Sequence, residues 1–458
     1  MQRDHLVTPF HWSSQESRMR FSWTKRFFEL LIGGQEFRAL IDKEEWGKAQ
    51  AELDKRGFPH HLREFSPFFE QGVTPSPEQE ASTGYPLVSE WLDFRDANDK
   101  ARAVFVDFES DNPALTMWRQ RQLSRLSGEV GFNVKEHYSP LFAFELNSGC
   151  SVQCPFCAFD ALRLTKVGRH DELAFLWQGM LRVNHELFGD SAEKGCLYHA
   201  TEPADSPDYF KFIEDYIAEY GVLPQTTTAA PLRSLVWTHR LIELRKNTPT
   251  NSDRFSLLSE DDLHRVHQTF TPDDLVHVKL LLQYEKDGDS HFVRAGRNFD
   301  IPENEADQVT IACVCGFLVN LPERTVRLVS PCRASSRYPK GYRVHAENSF
   351  DGLEEYKQIL LDMIRLYMPV SLGVEDLLRF RKGLSLEFAE ESSSIVSRFK
   401  RYDLGIGNKS KQSVLEMIKV GGTYKDICDH AEKTGMSFLA FAALVDQLFK
   451  AGFLEDLS

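Results

Sequence analysis

Three of the chain's eight cysteines, Cys150, Cys154 and Cys157, crowd into "ELNSGCSVQCPFCAFDA" at a C-x3-C-x2-C spacing. Thiolates are soft ligands, suited to zinc or to iron–sulfur clusters. A structural zinc site closes its tetrahedron with four ligands, usually two C-x2-C pairs or a cysteine and histidine set. This loop supplies no fourth, and His170 follows thirteen residues on, in a predicted helix. A four-iron cluster held by only three thiolates leaves one iron open to an outside ligand, unlike the four-cysteine set of an ordinary electron-transfer cluster. Three readings therefore compete: a reactive cluster, a zinc site, and small buried hydrophobes, the usual use of a single free cysteine.

The remaining cysteines, Cys196, Cys313, Cys315, Cys332 and Cys428, lie scattered, which is no disulfide framework. With 458 residues, 42% apolar and 27% charged, the composition is that of a globular protein of more than one domain. A formal net charge of −14 argues against a partner gripped through nucleic-acid phosphates. No run of about 18 apolar residues is present to span a membrane. "MQRDHLVTPFHWSSQESRMRF" lacks an apolar signal core. The expectation is a cytoplasmic protein with neither a nucleic-acid nor a membrane partner.

The elements that must position the cysteines follow from periodicity. Residues 1–135 read as a mostly helical region, interrupted by the Pro-, Ser- and Gly-rich "GVTPSPEQEASTGYP". Residues 136–350 alternate short β-prone runs with helical ones: "LFAFEL", "GCLYHA", "LPQTTTAA", "RFSLLS" and "LVHVKLLLQYE" are each separated by a helical stretch or lead into one. That rhythm predicts an α/β fold with parallel strands and crossover helices. "VTIACVCGFLVNL" and "TVRLVSP", joined by "PERT", predict a hairpin or the last strands of the sheet. A helical extension is expected over 351–408. Over 409–458, three short apolar stripes divided by "VGG" and "KTG" predict a small winged-helix-like module.

The C-x3-C-x2-C loop after the first strand of a βα series, with Phe156 before its last cysteine, resembles the signature of the radical S-adenosylmethionine (SAM) superfamily. The resemblance implies a partial (β/α)6 barrel, a 4Fe–4S cluster on Cys150, Cys154 and Cys157, and SAM on the open iron. SAM would then be cleaved to a 5′-deoxyadenosyl radical, with electrons from a donor such as flavodoxin or ferredoxin. The family's second strand ends in a Gly-Gly-Glu-Pro-like stretch that holds the SAM amino group. Here "ATEP" offers Thr201, Glu202 and Pro203, with Ala200 and Thr201 where the glycines stand. Ser256, at the end of a fourth predicted strand, corresponds to a ribose contact. Read from the residues alone, Glu202 is also a plausible helix-start carboxylate.

Residues 1–135 show no nucleotide-binding βαβ rhythm of the sort a cobalamin-dependent methyltransferase carries. The five later cysteines cannot fill the set of a thioether-forming maturase. Together with "ELNSGCSVQCPFC" and "ATEPADSPDYF", the block "CGFLVNLPERTVRLVSPCRASSRYPKGYRVHAENSF" resembles the proteusin-type radical SAM peptide epimerases, which convert L- to D-residues in ribosomally made precursor peptides. Inversion needs a hydrogen atom delivered to the face opposite abstraction, and a thiol is a suitable donor. Cys332, expected in a polar loop mouth beside Arg333 and Arg337, is the first candidate and Cys313 the second. The tail module would then bind the leader of the precursor. Rival readings are another radical SAM peptide maturase, forming cross-links or altering a β-carbon, and a zinc or Fe–S regulator that binds DNA through its tail.

Overall fold

The computed structural model describes residues 12, 14–69, 86–106, 110–131, 139–247, 253–284, 295–300, 314–389 and 392–456. In chain order these form helices α1 (Gln15–Gly33), α2 (Gln35–Asp42), α3 (Trp46–Lys55), α4 (Pro86–Val106) and α5 (Pro113–Val130), then strands β1 (Phe142–Glu145), β2 (Asn147–Ser148) and β3 (Lys166–Val167). Next come α6 (His170–Phe188), β4 (Gly195–Cys196), α7 (Tyr209–Tyr220), β5 (Thr227–Thr228), α8 (Leu235–Asn247), β6 (Asp253–Leu257), α9 (Glu260–Thr269) and β7 (Val278–Leu282). Strands β8 (Gly316–Asn320), β9 (Thr325–Pro331) and β10 (Tyr342–Ser349) precede α10 (Leu353–Tyr367). The end of the chain holds β11 (Leu377–Leu378), β12 (Ser385–Phe388), β13 (Ser393–Val396), β14 (Arg401–Asp403), α11 (Lys409–Val420), β15 (Gly422–Thr423), α12 (Tyr424–Lys433) and α13 (Phe438–Lys450). No described helix is long and apolar enough to cross a membrane.

The chain divides into two compact units. One comprises residues 1–105, 202–209 and 221–292, so the division cuts through the stretch 136–350 expected to fold together. In it α1 starts at Ser14, whose side chain accepts from the Ser17 N–H, and buries Phe21, Phe27, Phe28 and Leu30 on one stripe. The Gly33–Gly34 break has a packing reason. A Cβ on Gly33 would stand 2.7 Å from a Leu282 methyl and 2.9 Å from a Leu263 methyl, so any larger residue would make those side chains shift where α1 ends against β7 and α9. Strands β5, β6 and β7 form a parallel sheet, with Thr228 opposite Phe255 and Phe255 opposite Leu280.

The other unit comprises residues 106–201, 210–220 and 293–458. Its main sheet runs β10-β9-β8-β1-β4, parallel across β8, β1 and β4 and antiparallel across β8, β9 and β10. Residues alternate between its faces. Phe142 and Phe144 of β1 stack on Phe317, Phe188 and Trp177 on one side. Ala143, Cys196, Leu318 and Val329 pack with Tyr198 and Tyr342 on the other. The expected β8–β9 hairpin is present, with Asn320 opposite Thr325.

The α/β class and its βα rhythm hold, but the strands pair into separate sheets, none of them closed into a barrel. Closure needs successive strands long enough to pair along both edges, and β4 and β5 hold two residues each. At the end of the chain the three expected helices are found. They share one core with the strands before them: Leu378, Phe380, Ile395 and Leu404 pack with Val414, Ile418, Phe441 and Leu448. The module therefore reaches back beyond residue 409, and the described residues of 351–408 hold one helix and four short strands rather than a helical extension. Its sheet side was hidden because β12, β13 and β14 are only three or four residues long.

The module is fastened to α5 through polar contacts that are buried on the helix side. Arg125 donates to Asp456 Oδ2 at 2.6 Å and to the Leu454 carbonyl at 2.9 Å, and Gln122 donates to Asp456 Oδ1 at 2.9 Å. Burial alone would raise the Asp456 carboxyl, but Arg125 beside it holds it down at about 2. A depressed carboxyl stabilises the fold above its unfolded value near 4 and loses that contribution as pH falls toward 2. The expected result is a urea midpoint that declines between about pH 4 and pH 2, and less steeply in Asp456→Asn. Equal slopes for the two proteins would refute the assignment.

Candidate functional site

The three cysteines sit where the sequence placed them, in the loop that leaves β1 through β2 and returns through β3. The loop is tightly tied. The Cys150 N–H donates to the Leu162 carbonyl at 2.9 Å, Cys157 N–H to Cys154 O at 3.1 Å, and Asp160 N–H to Cys157 O at 3.0 Å. Gly149 lies at φ +89°, and a Cβ there would stand 2.3 Å from Arg163 O, which excludes any other residue. Gln153 is left-handed at φ +54°, unusual without glycine. Its amide compensates by donating to the carbonyls of Cys150 at 2.7 Å and Leu162 at 3.0 Å. None of the three is in a disulfide, and all are half-buried. Among the described residues no three His, Cys, Asp or Glu side chains are gathered closely enough to hold a metal ion. The chemistry of the donor set nevertheless fits a cluster: three soft sulfur donors outside any disulfide, one short loop, and partial shielding from water.

Phe156 is half-buried in the same loop, and its carbonyl accepts from Asn298 Nδ2 at 3.2 Å. Thr201 follows Ala200, which is held at φ +50°, and Thr201 Oγ1 is buried without a hydrogen-bond partner. An orphaned buried hydroxyl is the kind of atom a bound ligand would satisfy. Glu202 is 2% exposed and fully occupied. It accepts from Ala204 N–H at 3.1 Å, Thr228 Oγ1 at 2.5 Å and Ala229 N–H at 2.9 Å, so it caps the short 3-10 turn beginning at Pro203. Burial raises its carboxyl despite these donors. The helix-start role is thus visible, while its fitness for an amino group rests on the resemblance. Pro203 is buried and Ser256 half-buried on β6, between Phe255 and Leu257.

Cys332 is not in a polar loop mouth. It is fully buried just beyond β9, its N–H bonded to Gly341 O at 2.9 Å, and burial pushes its thiol up to about 12. The charged neighbours that act on it are Arg343, Glu129 and Arg125 rather than Arg333 and Arg337. Strand alternation explains its direction. Ser330, two residues earlier, bonds Gln122 of α5 at 3.2 Å, so Cys332 also faces α5. Cys315 is buried as well, and its carbonyl is taken by Arg119 of α5. Cys313 lies outside the described residues. Among the described cysteines beyond the loop, Cys196 occupies the opposite face of the sheet.

That face also holds a polar pair the sequence reading missed. His199 Nδ1 stands 3.4 Å from Glu145 Oε1, and Asn320 Nδ2 donates to Glu145 Oε2 at 2.6 Å. The Phe159 ring, two residues past Cys157, lies 4.4 Å from the imidazole. Glu145, His199 and Asn320 end or follow β1, β4 and β8, the carboxyl ends where open parallel sheets bind ligands. The signal was available, since each is a polar residue closing an apolar run, but which ends meet is set by pairing order.

Comparison with known proteins finds one informative relative: the chain is 33% identical to the uncharacterized protein y4wI of Sinorhizobium fredii over 476 aligned positions, covering 99% of this chain and 92% of that one. No family profile matches the chain, and no solved structure matches it.

Proposed function

The chain belongs to the family of the Sinorhizobium fredii protein y4wI, and we propose that it is a radical SAM enzyme that epimerises residues of a ribosomally made precursor peptide. The observation that carries this reading is the loop of three half-buried cysteines, none in a disulfide, leaving the first strand of a parallel βα series. On this reading Cys150, Cys154 and Cys157 hold the 4Fe–4S cluster, and Phe156 and Thr201 of the same unit serve SAM. Bound together and given one electron by a flavodoxin or ferredoxin, cluster and SAM supply a 5′-deoxyadenosyl radical able to take hydrogen from a peptide Cα.

The chain's own task is to return hydrogen to the other face. A thiol S–H breaks, the Cα–H bond forms, and the sulfur radical left behind is restored by one further electron from the donor and a solvent proton. Cys332 has the neutral thiol this requires, because burial holds its proton. Cys196 is favoured by direction, since it shares its face with Glu145 and His199. The tail module supplies substrate capture: β12 and β14 are the edges of its three-stranded sheet, and an extended leader would add a strand there.

The test is co-expression with a candidate precursor peptide, in H2O and in D2O, followed by peptide mass spectrometry. Epimerisation gives a gain of one mass unit per inverted residue in D2O only, located at Cα and lost in whichever of Cys332→Ala or Cys196→Ala removes the donor. A mass change already present in H2O would replace epimerisation with cross-linking or β-carbon chemistry. A colourless protein after anaerobic reconstitution would favour the zinc regulator.

A further inference from the structure

A segment distant in sequence grips the cysteine loop. Arg297 Nη1 donates to the Cys154 carbonyl at 2.8 Å, Nη2 donates to Gln153 Oε1 at 3.0 Å and to the Ala161 carbonyl, and Nε stands 3.4 Å from Asp160. The Arg297 N–H donates to Cys157 O at 3.0 Å, and Asn298 Nδ2 reaches Phe156 O. Gly296, at φ +58°, makes the approach possible, since a Cβ there would lie 2.3 Å from Ala158 O and 2.5 Å from Cys157 O. Its own N–H is tied to Pro339 O at 2.8 Å. One guanidinium thus spans the loop from Gln153 to Ala161.

We propose that Arg297 is a positioning residue for the three-thiolate loop: its guanidinium fork fixes the loop backbone and offsets the repulsion of gathering three anions within it. This rests on the radical SAM reading and deepens it. The argument is electrostatic and geometric. Three thiolates of one sign in an eight-residue span repel each other, and a cation held against the loop backbone offsets that repulsion. A planar fork also fixes carbonyl directions, which a lysine ammonium, a point charge on a flexible stem, does not. Groups of this outer shell tune a metal site without touching the metal.

The experiment compares wild type, Arg297→Lys and Arg297→Gln after anaerobic reconstitution of the full chain with iron and sulfide. It reads iron and sulfide per chain, the electron paramagnetic resonance signal of the dithionite-reduced protein with and without SAM, and the melting temperature of each protein before reconstitution. The expected result is about four irons in wild type, loss of more than half of them in Arg297→Gln, and in Arg297→Lys a cluster that forms with an altered resonance signal. Normal iron and an unchanged signal in both variants would overturn the proposal, even if both melted earlier, because a merely cementing role moves only melting. Should Arg297→Gln fail to fold, Arg297→Lys decides by the same readings. A wild type that takes up no iron would instead sink the radical SAM reading, so the two failures are distinguishable.

Discussion

On the radical SAM reading proposed above, Cys157→Ala abolishes reductive SAM cleavage, with 5′-deoxyadenosine formation falling by more than about 100-fold, the upper end of what outer-shell changes cost a metal site. Removing a ligand acts more severely than removing a neighbour of one, because three thiolates are already the fewest that leave a single iron open. The fold should survive. Cys157 is half-buried in a surface loop, and its backbone bonds to Cys154 and Asp160 do not depend on its sulfur. A melting temperature close to wild type, together with loss of the brown absorbance, is the outcome that supports the assignment. Undiminished 5′-deoxyadenosine from Cys157→Ala would end it, and the alanine variant of whichever of Cys196 and Cys332 is the donor should still cleave SAM while failing to invert the peptide.

The second large effect concerns stability. Asp253 opens β6, fully buried, and meets Arg245 of α8 through two bonds, Nε to Oδ2 at 3.0 Å and Nη2 to Oδ1 at 2.6 Å. Asp253 Oδ1 also accepts the Thr226 N–H at 2.9 Å, just before β5, and Arg245 Nη2 donates to Pro224 O at 2.9 Å. Asp253→Ala leaves a guanidinium buried with its charge unpaired, a loss of about 3–5 kcal/mol. For a chain of 458 residues that lowers the melting temperature by roughly 3–5 °C. Replacing both partners with apolar residues should recover part of the loss, because the penalty lies in the stranded charge rather than in the missing attraction. Thermal unfolding of the single and double variants checks this, and an Asp253→Ala protein that melts within a degree or two of wild type would refute it.

The candidate site was partly legible in the sequence. The C-x3-C-x2-C spacing locates the thiol loop without any fold, because ligand spacing inside one loop is a local property. The strand before it, the β8–β9 hairpin and the three tail helices were also readable, each from apolar periodicity within about a dozen residues. Cys332 was not. Its setting was inferred from Pro331, Arg333 and Arg337 along the chain, whereas its burial comes from α5, some 200 positions away. Alternation along β9 turns it toward that helix, and no local pattern says which face of a sheet a helix will cover. The tail strands escaped for a different reason: runs of three or four residues carry too little periodicity to register.

By itself the sequence determined the α/β rhythm, the cysteine loop and the helices, since propensity, capping and spacing act between residues a few positions apart. Only the tertiary structure decided that Arg297 lies against Cys154 and Cys157, that Glu145 meets His199, that Glu202 is spent on Thr228 and Ala229, and that the strands stop short of a closed barrel. Those contacts join residues 26 to 143 positions apart. They exist because β-pairing order and buried packing bring them together, and neither is written in any local stretch of the chain.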